Sequence, residues 1–276
     1  MRPKTRDKIL RSRLLPLILI PVRSRIAIVT SVRYLAKVLT WLLKSREFAN
    51  YSYRLTGNNR AQLVGFVSVV TQCPAEEIET YFDELEDDDH LRKRIDVELR
   101  RNKRRREFDS EISYGRRLGW YAIIRALEPS IVVETGTEKG LGSVVIAEAL
   151  LRNGSGRLIT IDIEESSGLI FKEASRYDSV IQRVIGDSVE QIRLLSMPVD
   201  LFIHDSDHSA EHEREELLAV ARLMSPGGVV LSDNSHVTPE LAEWSRANDR
   251  QFLFFREEPE SHWYPGAGIG CSWTLK

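Results

Sequence analysis

The stretch IVVETGTEKGLGS, residues 131–143, sets a β-branched run and an acid ahead of three glycines spaced GxxxGxG, with a helix-forming segment behind them. Val and Ile suit the pleated, half-buried surface of a strand, whereas Gly136, Gly140 and Gly142 end it in a loop. Strand, glycine loop and helix in that order form the opening unit of a parallel sheet, because parallel strands need long, usually helical crossovers.

The same unit recurs downstream. LITIDI (158–163), VIQRVIGD (180–187), VDLFIHD (199–205), GVVLSDN (228–234) and QFLFF (251–255) each carry an apolar core bounded by turn residues. Helical patterns at Ser143–Arg152, Gly168–Tyr177, Ser188–Leu195, Glu211–Met224 and Pro239–Asn248 separate them. This alternation specifies an α/β fold, a Rossmann-like doubly wound sheet with helices on both faces. In such sheets ligands collect at the carboxyl ends of the strands, where the winding reverses.

With 276 residues, 42% hydrophobic and 29% charged, the composition is that of a globular chain and not of a fibrous or disordered one. The net charge of −2 hides an asymmetry, since residues 1–46 hold twelve Lys/Arg against Asp7 alone. Cys73 and Cys271 lie far apart and form neither a metal motif nor a disulfide framework, which favours a reducing, cytoplasmic setting.

Three regions are expected: a basic amphipathic arm at 1–48, a helical subdomain at 49–112, and the α/β domain at 113–276. In the arm, LLPLILIPV (14–22) is too short to span ~30 Å of hydrocarbon, and its two prolines are expected to interrupt a helix. The RSR that follows is not a small-residue cleavage site, which disfavours a signal peptide. Ile26–Phe48 reads as a helix with Arg33, Lys37 and Lys44 on one stripe and a broad apolar face. That face can pack on its own chain or on a second copy in a homodimer, and its basic margin can meet an anionic membrane. The run RRNKRRR (100–106) has only Phe108 as a nearby aromatic, so no base-stacking platform is evident and nucleic acid is not an expected partner.

The glycine spacing differs from the GxGxxG that presents a helix N-terminus to a dinucleotide pyrophosphate, so a nicotinamide-dependent oxidoreductase is disfavoured. The wider loop suits a cofactor without phosphates, and Glu134 suits an ammonium group. Asp162, ending the second strand, can accept from two ribose hydroxyls, and Asp187, ending the third, can take an adenine amino group. Each of these residues also has an ordinary use in turns and helix caps.

IHDSDH (203–208) delivers Asp205 to the same edge of the sheet, and the next strand delivers Asp233 and Asn234. Two carboxylates and one amide oxygen form a set suited to Mg²⁺, and His208, three residues beyond Asp205, is placed to be a general base. Asp207 can orient His208, whereas His204 alternates to the other side of the strand and reads as packed or hydrogen-bonded. A plain turn at Asp233–Ser235 and a helix cap at His208 are the competing reading. The aromatic segment 256–270, with His262, Trp263 and Tyr264, can line an acceptor pocket or pack a terminal hairpin. Tyr114-Gly115-Arg116-Arg117 precedes the first helix of the domain and is assigned no catalytic role.

Taken together, residues 114–275 resemble class I S-adenosylmethionine-dependent methyltransferases, and the HDSDH and SDN segments resemble the metal-dependent O-methyltransferases of the catechol, caffeoyl-coenzyme A and macrocin types. The resemblance implies a seven-stranded sheet whose last strand, within 266–275, runs antiparallel. It also implies S-adenosyl-L-methionine as cofactor, held by Glu134, Gly136, Thr137, Gly140, Gly142, Ser143, Asp162, Ile163, Asp187, Ser188 and Asp205. Asp205, Asp233 and Asn234 are then Mg²⁺ ligands, Asp205 and His208 the catalytic residues, and the acceptor a sugar or secondary metabolite. Histidine at 208 matches the macrocin-type enzymes, where the other two types carry lysine. A metal-independent small-molecule methyltransferase and a non-catalytic membrane-associated S-adenosylmethionine-binding module are the alternatives.

Overall fold

A computed structural model describes residues 15–45, 52–101, 111–172 and 175–274. The chain divides into two units, one of residues 1–45 with 261–263 and one of residues 46–260 with 264–276.

In the larger unit, β1 (Ile131–Thr135), β2 (Arg157–Asp162), β3 (Ile181–Ile185), β4 (Val199–His204), β5 (Met224–Asp233), β6 (Gln251–Arg256) and β7 (Gly268–Trp273) form one sheet in the order β3-β2-β1-β4-β5-β7-β6. The first five strands pair in parallel, and β7 lies antiparallel between β5 and β6, as expected. Winding therefore runs one way from β1 to β3 and the other way from β4 onward. The reversal falls between β1 and β4, where Val133 pairs with Phe202 and Thr135 with His204. Because β4 pairs His204 with Ser232 of β5, the residues that follow, Asp205 and Asp233, emerge side by side.

Two apolar clusters cover the faces of the sheet. One gathers Val133, Ile159, Phe202 and Val230 with Leu217 and Val220. The other joins Val132, Leu158, Leu201 and Leu231 to Trp120, Val144 and Leu150. Three helices, Gly57–Thr71, Ala75–Glu86 and Asp89–Arg100, were expected as a unit of their own at 49–112. They bury Leu63, Val67, Phe82, Leu91 and Leu99 in that same second cluster. Polar ties reinforce the junction: the Asn59 side chain donates to the Arg256 carbonyl at 2.9 Å and accepts from the Glu258 amide at 2.7 Å.

Two expectations are corrected. Gly168–Tyr177 is not a helix: its described part is turns ending in a short 3-10 segment, Ser175–Tyr177. Its backbone serves the glycine loop, with the Gly168 amide donating to the Glu138 carbonyl at 2.8 Å and the Ile170 amide to the Lys139 carbonyl at 3.0 Å, and Gly168 itself stands at φ +77°. In the smaller unit, the prolines do not interrupt the helix, which runs unbroken over Leu15–Lys44 with Pro21 inside. Pro16 is its second residue, where an N–H has no intrahelical partner anyway, and Pro21 removes only one donor. By length and composition Leu19–Lys44 is long and apolar enough to cross a membrane, contrary to the reading from the nine-residue run. Most of RRNKRRR lies outside the described residues.

Candidate functional site

The loop after β1 crosses the point of reversal. Gly136 has φ +85° and donates its amide to Ile161 at 2.9 Å. A β-carbon on it would stand 1.9 Å from the Asp205 carbonyl oxygen, so the loops after β1 and β4 touch main chain to main chain. Gly142, in the first turn of Leu141–Asn153, leaves room for the Glu134 carboxylate, 2.6 Å from where its β-carbon would be.

Glu134 is buried and points into the body of the loop. One of its oxygens accepts from Ser143 at 2.5 Å and from Thr160 at 2.7 Å, and Thr160 also meets the Thr137 hydroxyl at 2.5 Å. Burial pushes the Glu134 carboxyl up to about 7, against the pull of these two hydroxyls. Three expected cofactor residues, Glu134, Thr137 and Ser143, thus form an internal network that braces the loop. Asp162 sits at the loop's edge, its two oxygens accepting from the amides of Glu138 at 2.7 Å and Glu164 at 2.8 Å. Ile163 is 72% exposed beside it. Asp187 caps the helix Ser188–Leu194 through the Glu190 amide at 2.9 Å, while the Ser188 hydroxyl turns inward to Glu216.

At the ends of β4 and β5, ligand atoms of Asp205, His208 and Asp233 all lie within 4.8 Å of one another. Asn234, in a left-handed conformation at φ +54°, donates its amide nitrogen to His208 Nε2 at 2.9 Å, and its buried Oδ1 has no partner among the described residues. The two aspartates and the Asn234 amide oxygen are an all-oxygen set of the kind a hard divalent cation takes, with the His208 imidazole beside them. Burial, and then the charge of Asp233, raise Asp205 well above the carboxylate range. Asp233 is also penalised by burial, but the Arg116 charge, hydrogen bonds from Asp205 and Arg116, and the Arg117 charge together hold it below the ordinary carboxylate value. Burial lowers His208 below its ordinary value, so the neutral imidazole is favoured.

The flanking polar residues part company. Asp207 accepts from the Ser209 amide at 2.9 Å and braces that turn, not His208. His204 is buried with Nδ1 donating to Glu216 at 2.7 Å, as expected for a hydrogen-bonded residue. His262 and Trp263 belong to the smaller unit, where both rings meet Trp41 edge-on at 5.6 and 5.7 Å. Tyr264 packs by Tyr53 at 6.1 Å.

Arg116, Glu216 and Glu257 were not foreseen. The Arg116 guanidinium is buried and takes both oxygens of Asp233, Nε donating to Oδ1 and Nη2 to Oδ2 at 2.5 Å. Glu216 accepts from Thr135, His204, Ser206 and His212 at 2.7–3.0 Å, and from Ser188. Adjacent arginines at the start of an otherwise apolar helix were a visible signal for Arg116. Glu216 looks like any helix acid until the fold buries it.

Sheet order, antiparallel β7 and the glycine loop at the reversal define the class: the fold is that of the class I S-adenosylmethionine-dependent methyltransferases. Residues 133–235 match the family model described as "Methyltransferase domain". The rhamnosyl O-methyltransferase of Mycobacterium tuberculosis is 29% identical over 128 residues, covering 42% of this chain and 49% of that protein. Its counterpart in Mycobacterium bovis matches equally, so the chain spans about half the length of these curated relatives. Among solved structures, the Bacillus cereus O-methyltransferase in complex with SAH superposes with a TM-score of 0.52 at 15% identity, over 72% of this chain and 100% of that one. The O-methyltransferase TomG from Streptomyces achromogenes, in complex with SAM, gives 0.50 at 19% identity, over 71% and 95%. At these identities the structural likeness concerns the fold alone.

Proposed function

We propose that this chain moves a methyl group from S-adenosyl-L-methionine to a hydroxyl of a small-molecule acceptor, a sugar or secondary metabolite, with His208 as general base. The observation that carries this reading is the meeting of Asp205, His208 and Asp233 beside the glycine loop. Resemblance to a rhamnosyl O-methyltransferase favours a sugar hydroxyl as acceptor.

The reaction balances simply: the sulfonium S–CH₃ bond breaks, the O–CH₃ bond forms, and the acceptor's hydroxyl proton leaves to His208. Most of the protein's work is positioning. Asp162 and Asp187, whose carboxylates keep lone pairs beyond those the amides use, are the candidates for the ribose and adenine ends, with Gly136 and Gly140 letting the backbone approach. Asp205, Asp233 and Asn234 would hold Mg²⁺. That ion's chemistry is to lower the acceptor hydroxyl's pKa and offset the developing negative charge. His208, kept neutral by burial, is placed to take the proton on Nε2 once the Asn234 amide nitrogen that donates there gives way.

A second reading has a specific observation behind it. The Arg116 guanidinium already lies on Asp233, so a metal-independent enzyme could use that positive charge instead. Assay of the full chain with methyl-labelled S-adenosylmethionine and a panel of deoxysugar and phenolic acceptors tests the proposal. Transfer that is lost in Asp205→Ala and on chelation supports the Mg²⁺ form. Transfer indifferent to chelator selects the second reading, and cofactor binding without transfer to any acceptor selects a binding module.

The reading extends to partners and place. Free thiols at Cys73 and Cys271 are consistent with a cytoplasmic setting. The helix Leu15–Lys44 exposes Leu17, Ile20, Ile26, Ile28, Val32, Leu35, Leu39 and Leu43 alongside a basic stripe. Such a surface suits an anionic lipid headgroup layer, with a second copy of the chain as the competing occupant.

A further inference from the structure

Arg116 has partners on two sides. Toward the strand ends it grips Asp233 through Nε and Nη2, the latter at 2.5 Å. Behind it, Nη1 donates to the Tyr53 hydroxyl at 3.1 Å and to Glu257 Oε2 at 3.4 Å, and its own amide donates to Glu257 Oε1 at 3.0 Å. Tyr53 in turn donates to Glu257 Oε2 at 2.8 Å, which fixes that carboxylate in place.

We propose that Arg116 is a resident counter-ion of the cation site, which a divalent ion must displace from Asp233, so that this arginine sets the site's metal affinity. The inference rests on the reading of Asp205, Asp233 and Asn234 as metal ligands. Both oxygens of Asp233 are engaged by the guanidinium, and a dication bonded to either one would stand against a fixed positive charge in a desolvated pocket. Coulomb repulsion is strong there, because little water screens it. Displacement nevertheless has somewhere to go. Glu257 already bonds the same guanidinium, so rotation away from Asp233 leaves Arg116 paired with a buried carboxylate and not stranded. The arrangement is therefore a choice between two cations for one carboxylate, with Glu257 and Tyr53 as the holding position.

The test is Mn²⁺ binding, read from the loss of the free-ion paramagnetic resonance signal, on the full chain as wild type, Arg116→Gln, Arg116→Lys and Asp233→Asn. Removing the charge is expected to tighten Mn²⁺ at least tenfold in Arg116→Gln. Lysine, which lacks the two-pronged grip, is expected to fall between glutamine and wild type, and Asp233→Asn to lose binding. Circular dichroism checks that each variant is folded, and Arg116→Lys carries the comparison if the glutamine variant is not. Equal Mn²⁺ affinity in wild type and the Arg116 variants, still abolished by Asp233→Asn, overturns the competition while leaving the cation site standing. Weaker binding in the variants also overturns it, by making Arg116 a support of the site. No Mn²⁺ binding in any variant at millimolar ion removes the metal reading itself and this inference with it.

Discussion

Gly136 lies so close to Asp205 that a β-carbon on the glycine would meet the aspartate's carbonyl oxygen at 1.9 Å. Its φ of +85° adds backbone strain for any other residue. Gly136→Ala is therefore expected to push the β1 and β4 loops apart and weaken S-adenosylmethionine binding at least tenfold by calorimetry. Gly154→Ala is the control: its φ is +72° but nothing lies within 4 Å, so it should cost only about 1 kcal/mol of stability and spare binding. Equal effects of the two would show that the close approach is irrelevant.

His208 can be tested through its titration. A general base works as neutral imidazole, and burial lowers its pKa from the ordinary ~6.5. The sign follows: activity should rise with pH on the acid side and level off below about 6.5. His208→Gln should lower kcat by about 10²–10⁴ with cofactor affinity little changed. An unaltered acid limb in that variant would assign the titration to another group.

Glu216 predicts an acid-side stability change. Burial alone would raise its pKa, but the bonds from His204, His212 and Ser188 outweigh that and hold it well below the carboxylate range. Its folded pKa is below its unfolded one, so its contribution is complete above about 4.3 and is lost as pH falls below that value. Glu216→Gln should cost about 3 kcal/mol at pH 7 and less at pH 4, measured by urea unfolding at both. The same loss at both pH values would mean that its charge is not what matters.

The exposed helix Leu15–Lys44 predicts lipid dependence. Full chain should float with vesicles containing phosphatidylglycerol and less with phosphatidylcholine alone, because the exposed Arg33, Lys37 and Lys44 would attract anionic headgroups. Reversing the three charges should abolish the difference. Concentration-dependent dimers that persist without vesicles, with no flotation, would identify a second copy as the occupant.

The alternation of strands and helices, the glycine loop after β1 and the acids at the strand ends were legible in the residues alone, because these follow from local periodicity and turn chemistry. So was the placing of Asp205, His208, Asp233 and Asn234 on one edge, since strand ends in a parallel sheet share a side. What those groups touch depends on how the folded elements pack. Glu134 bonds Ser143 and Thr160, which lie 9 and 26 residues away, contacts that no local pattern shows. The turns at 168–172 are tied by the Gly168 and Ile170 amides to the carbonyls of Glu138 and Lys139, partners about 30 residues away that local periodicity does not show. Arg116 reached Asp233 across 117 residues of chain, a contact that no local pattern encodes. Such pairings arise when a fold buries charges that must then find one another, so their partners are set by packing and not by spacing.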